Sequence, residues 1–264
     1  MRILGSLLLV WALVAPDRAL AEVSSTSQPA ASPTIDTVAD PVSVTFSAPD
    51  GVIVSADYYA TADPSRSPII LLFHQAGSNA GEYAPIAPRL VALGWNALAV
   101  DSRAGASMWG RSNRTVIRLG RNEDFPRAYG DLEAALAWAA ARTRARPIVA
   151  WGSSYTSALV FRLAAEHSEV GAVMAFSPGE YLGPNEPVRG WAGLVTVPVF
   201  VTSADGAEAE TASRIIEAVP AAAKYQLVPQ FGVHGSSTLR SDRNPAGAAE
   251  NWTAVETFLK ALAR

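Results

Sequence analysis

Two hydrophobic patterns alternate along most of this chain, and together they predict a sheet covered by helices. Short runs that are apolar throughout, such as 68–73 and 148–151, are typical of strands buried on both faces of a parallel sheet. The stretch 124–142 instead carries apolar residues three or four positions apart, which indicates a helix with one buried face. Near the start, 42–46 and 51–59 are predicted strands separated by a Pro-Asp-Gly turn, so we expect an antiparallel opening pair.

The same alternation continues to the end of the chain and predicts an α/β protein with a mostly parallel sheet of eight strands. The further predicted strands are 96–100, 172–176, 197–202 and 225–229. The further predicted helices are 83–93, one that ends at 165, 207–218 and 246–263. Because no internal repeat and no second linker is visible, 42–264 is interpreted as one domain.

The first 21 residues have the pattern of a secretory signal peptide. Arg2 precedes an apolar run over 3–14, and a small-residue cleavage site ends at Ala21. That run is shorter than the roughly 20 residues of a membrane-spanning helix. We therefore predict export to the periplasm or the extracellular space, without stable membrane insertion after processing; an uncleaved membrane anchor is the alternative. The segment 22–41 is rich in Ser, Thr, Pro and Ala and is predicted to be a flexible linker.

Composition and charge narrow the chemistry that the domain can perform. The 264 residues carry 21 Lys and Arg against 24 Asp and Glu, and a formal net charge of −3 disfavours binding to nucleic acid. The chain has no cysteine, which excludes disulfides, thiolate zinc sites and iron–sulfur clusters, and its three histidines leave little for a metal cage. We therefore expect an oxygen nucleophile or carboxylates to act without a metal or another cofactor.

A serine stands at the apex of the turn that follows strand 148–151. Ser154 has the small residues Gly152 and Thr156 two positions before and after it, as a sharp strand-to-helix turn requires. Ser153 fails this test, because bulky aromatic residues occupy the corresponding positions around it. The turn resembles the nucleophile elbow of α/β-hydrolases, in which the apex serine attacks the substrate. An ordinary strand-to-helix turn is the alternative interpretation.

The resemblance also implies an acid and a histidine that follow the serine in the chain, each after a strand. Asp205 follows strand 197–202 and His234 follows strand 225–229, at the sheet edge where open α/β folds place their sites. His234 would accept the proton of Ser154, and Asp205 would orient the histidine. Glu208 is the alternative acid. The alternative for His234 is a solvated loop histidine.

The loop after strand 68–73 is similar to the oxyanion loop of the same family. The resemblance implies that the backbone N–H groups of Gln75 and Tyr155 stabilise the oxyanion of the reaction. The ring of His74 is expected to be structural. His167 lies at the end of a predicted helix, where a cation complements the helix dipole.

The resemblance to α/β-hydrolases covers almost the whole of 42–264, and the small size is similar to that of the dienelactone hydrolase-like branch, with serine in place of its common cysteine. It implies an α/β-hydrolase fold whose second strand is antiparallel, with helices on both faces and no large lid domain. It also implies a serine hydrolase that cleaves carboxylic esters of small or medium size through an acyl-enzyme, with no cofactor and a small-molecule ester as partner. The alternatives are a peptidase, thioesterase, acyltransferase or cofactor-free haloperoxidase with the same residues, and a noncatalytic binding protein.

Two loops, 102–122 and 178–196, are expected to overhang the site, because neither has a strong helical or strand period. Their aromatic residues are candidates for the substrate pocket; they are Trp109, Tyr181 and Trp191. The first loop contains five arginines, which indicate either an anionic substrate or, as the favoured interpretation, a solvated basic loop. These arginines are Arg103, Arg111, Arg114, Arg118 and Arg121.

Overall fold

The computed structural model describes residues 40–184 and 188–263, and its strands form one sheet. The predicted signal peptide 1–21 and nearly all of the predicted linker 22–41 lie outside the described residues. The strands are β1 (Val42–Ser47), β2 (Ile53–Tyr59), β3 (Ile69–Phe73), β4 (Asn96–Asp101), β5 (Ile148–Ser153), β6 (Val170–Phe176), β7 (Val199–Thr202) and β8 (Lys224–Leu227).

The strand order confirms the α/β-hydrolase fold that the sequence predicts. In the sheet the strands follow one another as β1-β2-β4-β3-β5-β6-β7-β8. β2 is antiparallel to both β1 and β4, and the other pairs are parallel. Because β3 to β8 run in the same direction, the loops that follow these strands all emerge at one edge of the sheet.

Helices cover both faces of the sheet, which explains the continuous apolar runs of the central strands. The helices are α1 (Ala87–Ala92), α2 (Arg114–Leu119), α3 (Tyr129–Ala140), α4 (Tyr155–Glu166), α5 (Val188–Ala192), α6 (Ala207–Ala218) and α7 (Ala248–Leu262). In β3 the side chains of Ile69 and Leu71 belong to a core shared with α3 to α6, whereas those of Ile70 and Leu72 belong to a second core shared with α1 and α7. None of the described helices is long and apolar enough to cross a membrane.

Two predicted helices are shorter than expected, and two predicted loops contain helices. In place of one helix over 83–93, a 3₁₀ turn ends at Tyr83 and α1 begins at Ala87, with Pro88 in its first turn. In 124–142 a 3₁₀ turn also precedes α3. The loop 102–122 contains α2, which buries Thr115 and shows no apolar face in the sequence. The loop 178–196 contains the five-residue helix α5.

Four of the five arginines of 102–122 bond this segment to the sheet or to α3, which corrects its interpretation as a solvated loop; they are Arg103, Arg111, Arg114 and Arg118. Arg103 is 1% exposed, and its Nη2 lies 2.7 Å from Oδ1 of Asp131 in α3. Arg114 bonds Asp101 through Nε at 2.6 Å and Asp57 through Nη1 at 2.7 Å. These contacts use carboxylates supplied by the sheet and by α3.

The other arginines of this segment are bonded as well. Arg111 Nη1 lies 2.6 Å from Asp57 Oδ2, and Arg121 Nη2 lies 2.6 Å from Glu123 Oε1. Arg118 Nη1 donates to the hydroxyl of Ser55 at 2.9 Å. Four of these five arginines therefore pair with carboxylates of the protein, and Arg118 bonds to a neutral hydroxyl.

We predict that Arg103→Met lowers the free energy of unfolding by about 3–5 kcal/mol, because it leaves the carboxylate of Asp131 buried without its cation. Urea denaturation of the purified protein measures the difference. Arg66→Met is the matched control, because Arg66 and its partner Asp63 are 85% and 59% exposed, and it should change the unfolding midpoint little. Equal effects of the two substitutions would contradict the structural role of Arg103.

Candidate active site

The turn between β5 and α4 holds Ser154 in a strained backbone conformation. Its φ is 59° and its ψ is −121°, a region that residues other than glycine rarely adopt. The amide of Ser154 donates to the carbonyl of Phe176 in β6 at 2.8 Å, and the residue is 7% exposed. The sharp turn places the serine at the carboxyl end of β5, where the other loops converge.

The neighbours of Ser154 explain why the chain can turn here. A Cβ at Gly152 would lie 2.4 Å from the carbonyl oxygen of Thr156 and 2.5 Å from Cα of Ser157, so only glycine fits. The hydroxyl of Thr156 accepts from the amide of Ser153 at 2.8 Å and donates to the carbonyl of Phe73 at 2.7 Å. Thr156 thus fastens the turn to the end of β3.

His234 is paired with Glu208 and not with Asp205. Its Nδ1 lies 2.8 Å from Oε1 of Glu208, in the first turn of α6. Asp205 is exposed and precedes Gly206, from which α6 begins. This corrects the expectation that Asp205 orients the histidine: the longer side chain of Glu208 reaches the ring from the helix, while Asp205 stays in the loop.

The loop that carries His234 is hydrogen-bonded to the ends of two other strands. The amide of Gly235 donates to the hydroxyl of Ser177 after β6 at 2.9 Å, and the amide of Ser236 donates to the hydroxyl of Ser153 at 2.8 Å. Gly235 has a φ of 68°, and a Cβ there would lie 2.4 Å from Ser153 Oγ. These contacts bring the histidine loop from β8 to the turn at Ser154.

Among the described residues, no hydrogen bond joins the hydroxyl of Ser154 to His234. Tyr181 lies beside Ser154 and Glu208, and its hydroxyl donates to the carbonyl of Ser177 at 3.1 Å. Burial raises the pKa of Tyr181, the Glu208 carboxylate adds to the rise, and the interaction with Ser154 opposes it. Hydrogen bonds of catalytic groups commonly tighten only when substrate binds, so this geometry is compatible with proton transfer from the serine to the histidine.

The loop after β3 does not present the amide of Gln75 to the site. That N–H donates to Oε2 of Glu82 at 3.0 Å, which corrects the expectation that it stabilises an oxyanion. The next residue, Ala76, is exposed, and no described group accepts from its N–H. The N–H of Tyr155 belongs to the first turn of α4, where amides have no partner within the helix.

The two other histidines have structural contacts. His74 is fully buried; its Nδ1 lies 2.7 Å from the carbonyl of Gln75, and its Nε2 accepts from the amide of Ser102 at 3.0 Å. It therefore joins the ends of β3 and β4. His167 is at the end of α4, with Nε2 3.3 Å from Glu133 of α3. Both positions agree with the expected structural roles.

The structure places one of the three predicted pocket residues beside Ser154, and that residue is Tyr181. Trp109 donates from Nε1 to Ser78 Oγ at 2.7 Å and stacks on Arg240, whose guanidinium carbon lies 4.0 Å from the ring centroid. Trp191 packs against the core shared by α3 to α6, so its contacts are those of a packing residue.

A cleft of about 380 Å³ opens beside His234. It is lined by Gln75, Val233, His234, Ser237, Asp242 and Arg243. Within the described part of the chain, no group of three or more His, Asp or Glu side chains is arranged to hold a metal ion.

Several residues of the site were not singled out in the sequence, and Glu82 is the most prominent of them. It is fully buried, although it follows Asn79 by three residues and therefore has the pattern of an acidic residue at a helix start. Ser177 and Ser153, which the sequence excludes as the nucleophile, also contribute, because their hydroxyls accept from the histidine loop. No sequence signal distinguishes these two serines from ordinary polar residues at strand ends.

Comparisons with known proteins identify a related family and related folds. A family model described as serine aminopeptidase, S33, matches residues 64–235, which is about two thirds of the chain and includes Ser154, Glu208 and His234. No curated protein sequence matches the chain significantly.

Similar solved structures share the fold at low sequence identity. An esterase of Pyrococcus furiosus is 19% identical, with 84% of this chain and 90% of that chain covered and a TM-score of 0.62. A dienelactone hydrolase-like protein of Klebsiella pneumoniae is 18% identical, with coverages of 83% and 98% and a TM-score of 0.63. An acylaminoacyl peptidase of Pyrococcus horikoshii is 13% identical, with coverages of 86% and 42% and a TM-score of 0.63.

Proposed function

The chain belongs to the serine aminopeptidase S33 family, and we propose that this serine hydrolase cleaves carboxylic esters of small or medium size through an acyl-enzyme on Ser154. The observation that carries the proposal is the backbone of Ser154, whose φ of 59° stores strain at the apex of a strand-to-helix turn. Such a turn holds a serine hydroxyl clear of the sheet, where a base and a substrate can both reach it.

The proposed reaction uses Ser154, His234 and Glu208. His234 Nε2 takes the proton of the Ser154 hydroxyl while Oγ bonds to the ester carbonyl carbon. The tetrahedral intermediate collapses, the bond to the alkoxy oxygen breaks, and Nε2 returns the proton to the leaving alcohol. Water then repeats the sequence and releases the acid. Glu208 accepts a hydrogen bond from Nδ1 of His234 and stabilises the imidazolium that forms, a role supported by their separation of 2.8 Å.

We further propose that the oxyanion receives hydrogen bonds from the N–H groups of Tyr155 and Ala76. Both are main-chain donors without an acceptor among the described residues. Tyr155 follows Ser154 in the chain, and Ala76 belongs to the loop after β3, the strand next to β5. Main-chain donors fixed before substrate arrives stabilise developing negative charge at little cost in reorganisation.

The cleft beside His234 favours an ester over the free amino terminus of a peptide. An ammonium group needs a carboxylate partner, and the carboxylate that lines this cleft belongs to Asp242. Both oxygens of Asp242 already accept from Arg240, at 3.0 and 2.8 Å. The hydrogen bonds from Arg240 lower the pKa of Asp242, and the charges of Arg240 and the neighbouring Arg243 add to this effect, so the carboxylate already has cationic partners.

We expect a fluorophosphonate probe to add one adduct to the wild-type protein and none to Ser154→Ala, as measured by intact mass. Ser203→Ala is the matched control, because Ser203 is another serine buried after a strand, 2% exposed, and its removal should leave labelling unchanged. A protein that binds ligands without catalysis would show no adduct in the wild type. Labelling that persists in Ser154→Ala would mean that another serine is the nucleophile.

Substitution of the two candidate acids should separate their roles. Glu208→Ala is expected to lower kcat for 4-nitrophenyl acetate by roughly 10³- to 10⁴-fold, because the histidine loses its orienting carboxylate. Asp205→Ala changes an exposed loop residue three positions away and should retain nearly full kcat. Steady-state kinetics on both variants decide between the acids, and the reverse result would restore Asp205 to the role.

The bond that is cleaved can be identified with a panel of matched substrates. We expect turnover of 4-nitrophenyl esters of short acids and no measurable turnover of amino acid 4-nitroanilides, because the cleft offers no unpaired carboxylate to an ammonium group. A thioester substrate tests for thioesterase activity. An added alcohol, which can accept the acyl group in place of water, tests for acyltransferase activity. Faster cleavage of the anilides would show an aminopeptidase instead.

The location of the protein is part of the proposal. The pattern of the first 21 residues supports export to the periplasm or the extracellular space, with cleavage near Ala21. N-terminal sequencing of the protein recovered from the exported fraction tests this: a start near Glu22 supports processing, and an intact Met1 contradicts it.

A further inference from the structure

A fully buried carboxylate lies behind the proposed active site and takes no part in the reaction as derived above. Glu82 is 0% exposed and sits in the 3₁₀ turn that follows β3. Among the described residues, no arginine or lysine forms an ion pair with it; Arg240 contacts its backbone carbonyl and not its carboxylate. Burying a carboxylate without a cation is costly, so its hydrogen bonds must compensate for the lost water.

Three donors converge on the Glu82 carboxylate. The hydroxyl of Ser153 lies 2.6 Å from Oε1, the amide of Gln75 lies 3.0 Å from Oε2, and the hydroxyl of Ser78 lies 3.1 Å from Oε2. The Ser78 oxygen in turn accepts from Nε1 of Trp109 at 2.7 Å, which leaves its own proton for Glu82. Burial raises the pKa of Glu82, and the hydrogen bonds from Ser153, Gln75 and Ser78 oppose that rise. Both oxygens therefore act as acceptors in a fixed direction.

The same cluster reaches the loop of the proposed catalytic histidine. The Ser153 oxygen accepts from the amide of Ser236, two residues after His234, at 2.8 Å. The hydroxyl of Ser236 is held by Nε1 of Trp151 at 2.9 Å. One carboxylate is therefore connected to the serine turn directly, to the loop after β3 directly, and to the histidine loop through a single hydroxyl.

We propose that Glu82 is a positioning residue that sets the nucleophile turn, the oxyanion loop and the histidine loop in register with one another. The inference rests on the proposed function. By accepting from Gln75, Glu82 turns that peptide away from the site and leaves the N–H of Ala76 as the donor of this loop. By accepting from Ser153, it orients the hydroxyl that receives the histidine loop. Small displacements of such elements reduce the rate strongly without weakening substrate binding.

Glu82→Gln tests this role, because glutamine has the size of glutamate but replaces one acceptor oxygen with a donor NH₂. That group must face either the Gln75 amide or the Ser153 hydroxyl. We expect kcat to fall on the order of 10²-fold while KM changes less than about threefold. The folded fraction of each variant is measured by circular dichroism, and kcat is calculated per folded molecule. Ser153→Ala removes the hydroxyl that joins Glu82 to the histidine loop and leaves the bonds of Glu82 to Gln75 and Ser78 in place, so we expect a smaller fall in kcat with KM unchanged. The double variant should lose less than the product of the two single losses.

Tyr129→Phe is the matched control for stability alone. It removes a hydrogen bond from a buried hydroxyl to a carboxylate, Tyr129 to Glu166 at 2.5 Å, on α3 and away from the three loops. It should lower the melting temperature and leave kcat unchanged.

If Glu82→Gln does not fold, Ser153→Ala is the variant that tests the proposal. The proposal is overturned if Glu82→Gln, or in that case Ser153→Ala, keeps kcat within twofold of the wild type, or if kcat follows melting temperature in all variants including Tyr129→Phe. A wild type that neither labels with fluorophosphonate nor turns over any ester defeats the proposed function itself, which is a different outcome.

Discussion

The turn at Ser154 is the constraint on which the arrangement of this molecule depends. A residue other than glycine at a φ of 59° costs on the order of 1–3 kcal/mol, so the surrounding contacts must hold it there. Both strands that flank β5 do so: β6 accepts from the amide of Ser154, and β3 accepts from the hydroxyl of Thr156. The start of α4 and the two loops that border it take their positions from this turn. Thr156 is therefore a structural part of the site, although it stands where many α/β-hydrolases have glycine.

The arginines of 102–122 stabilise the fold, whereas their number in the sequence first indicates a solvated basic loop or a site for an anionic substrate. Arg103 and Arg114 are bonded to carboxylates of the sheet and of α3, so they stabilise the path of 102–122 across the edge of the sheet. Next to Ser154 the polar groups are hydroxyls, amides and two carboxylates, those of Glu82 and Glu208. Arg103 and Arg114 thus serve the structure of 102–122, while the groups that hydrogen-bond around the turn at Ser154 are hydroxyls, amides and carboxylates.

Much of the fold could be predicted from the sequence, because a strand buried on both faces must be apolar throughout and few other elements have that pattern. The turn at Ser154 was predictable for a related reason, since only small residues fit two positions before and after it. The choice between Asp205 and Glu208 was not, because it depends on whether the loop before α6 or the first turn of α6 brings a carboxylate to the ring of His234. The N–H donor of the loop after β3 could not be predicted either, because Glu82 sets the direction of the Gln75 amide. In the sequence, the spacing of Glu82 from Asn79 indicates only a helix start. Short helices such as α2, which is held by ion pairs and has no apolar face, leave no periodic signal.

The strand order also gives the histidine loop a distance to cover. His234 follows β8, whereas Ser154 follows β5, and β6 and β7 lie between them. At about 4.8 Å per strand, the loop must return across roughly 14 Å of the sheet edge. Directly after His234, the amide of Gly235 bonds to Ser177 after β6, and the amide of Ser236 bonds to Ser153 at the end of β5. The segment between β8 and His234 is thus governed by its length more than by its side chains: many substitutions leave the span intact, while one residue inserted or deleted shifts the ring out of reach of its partners.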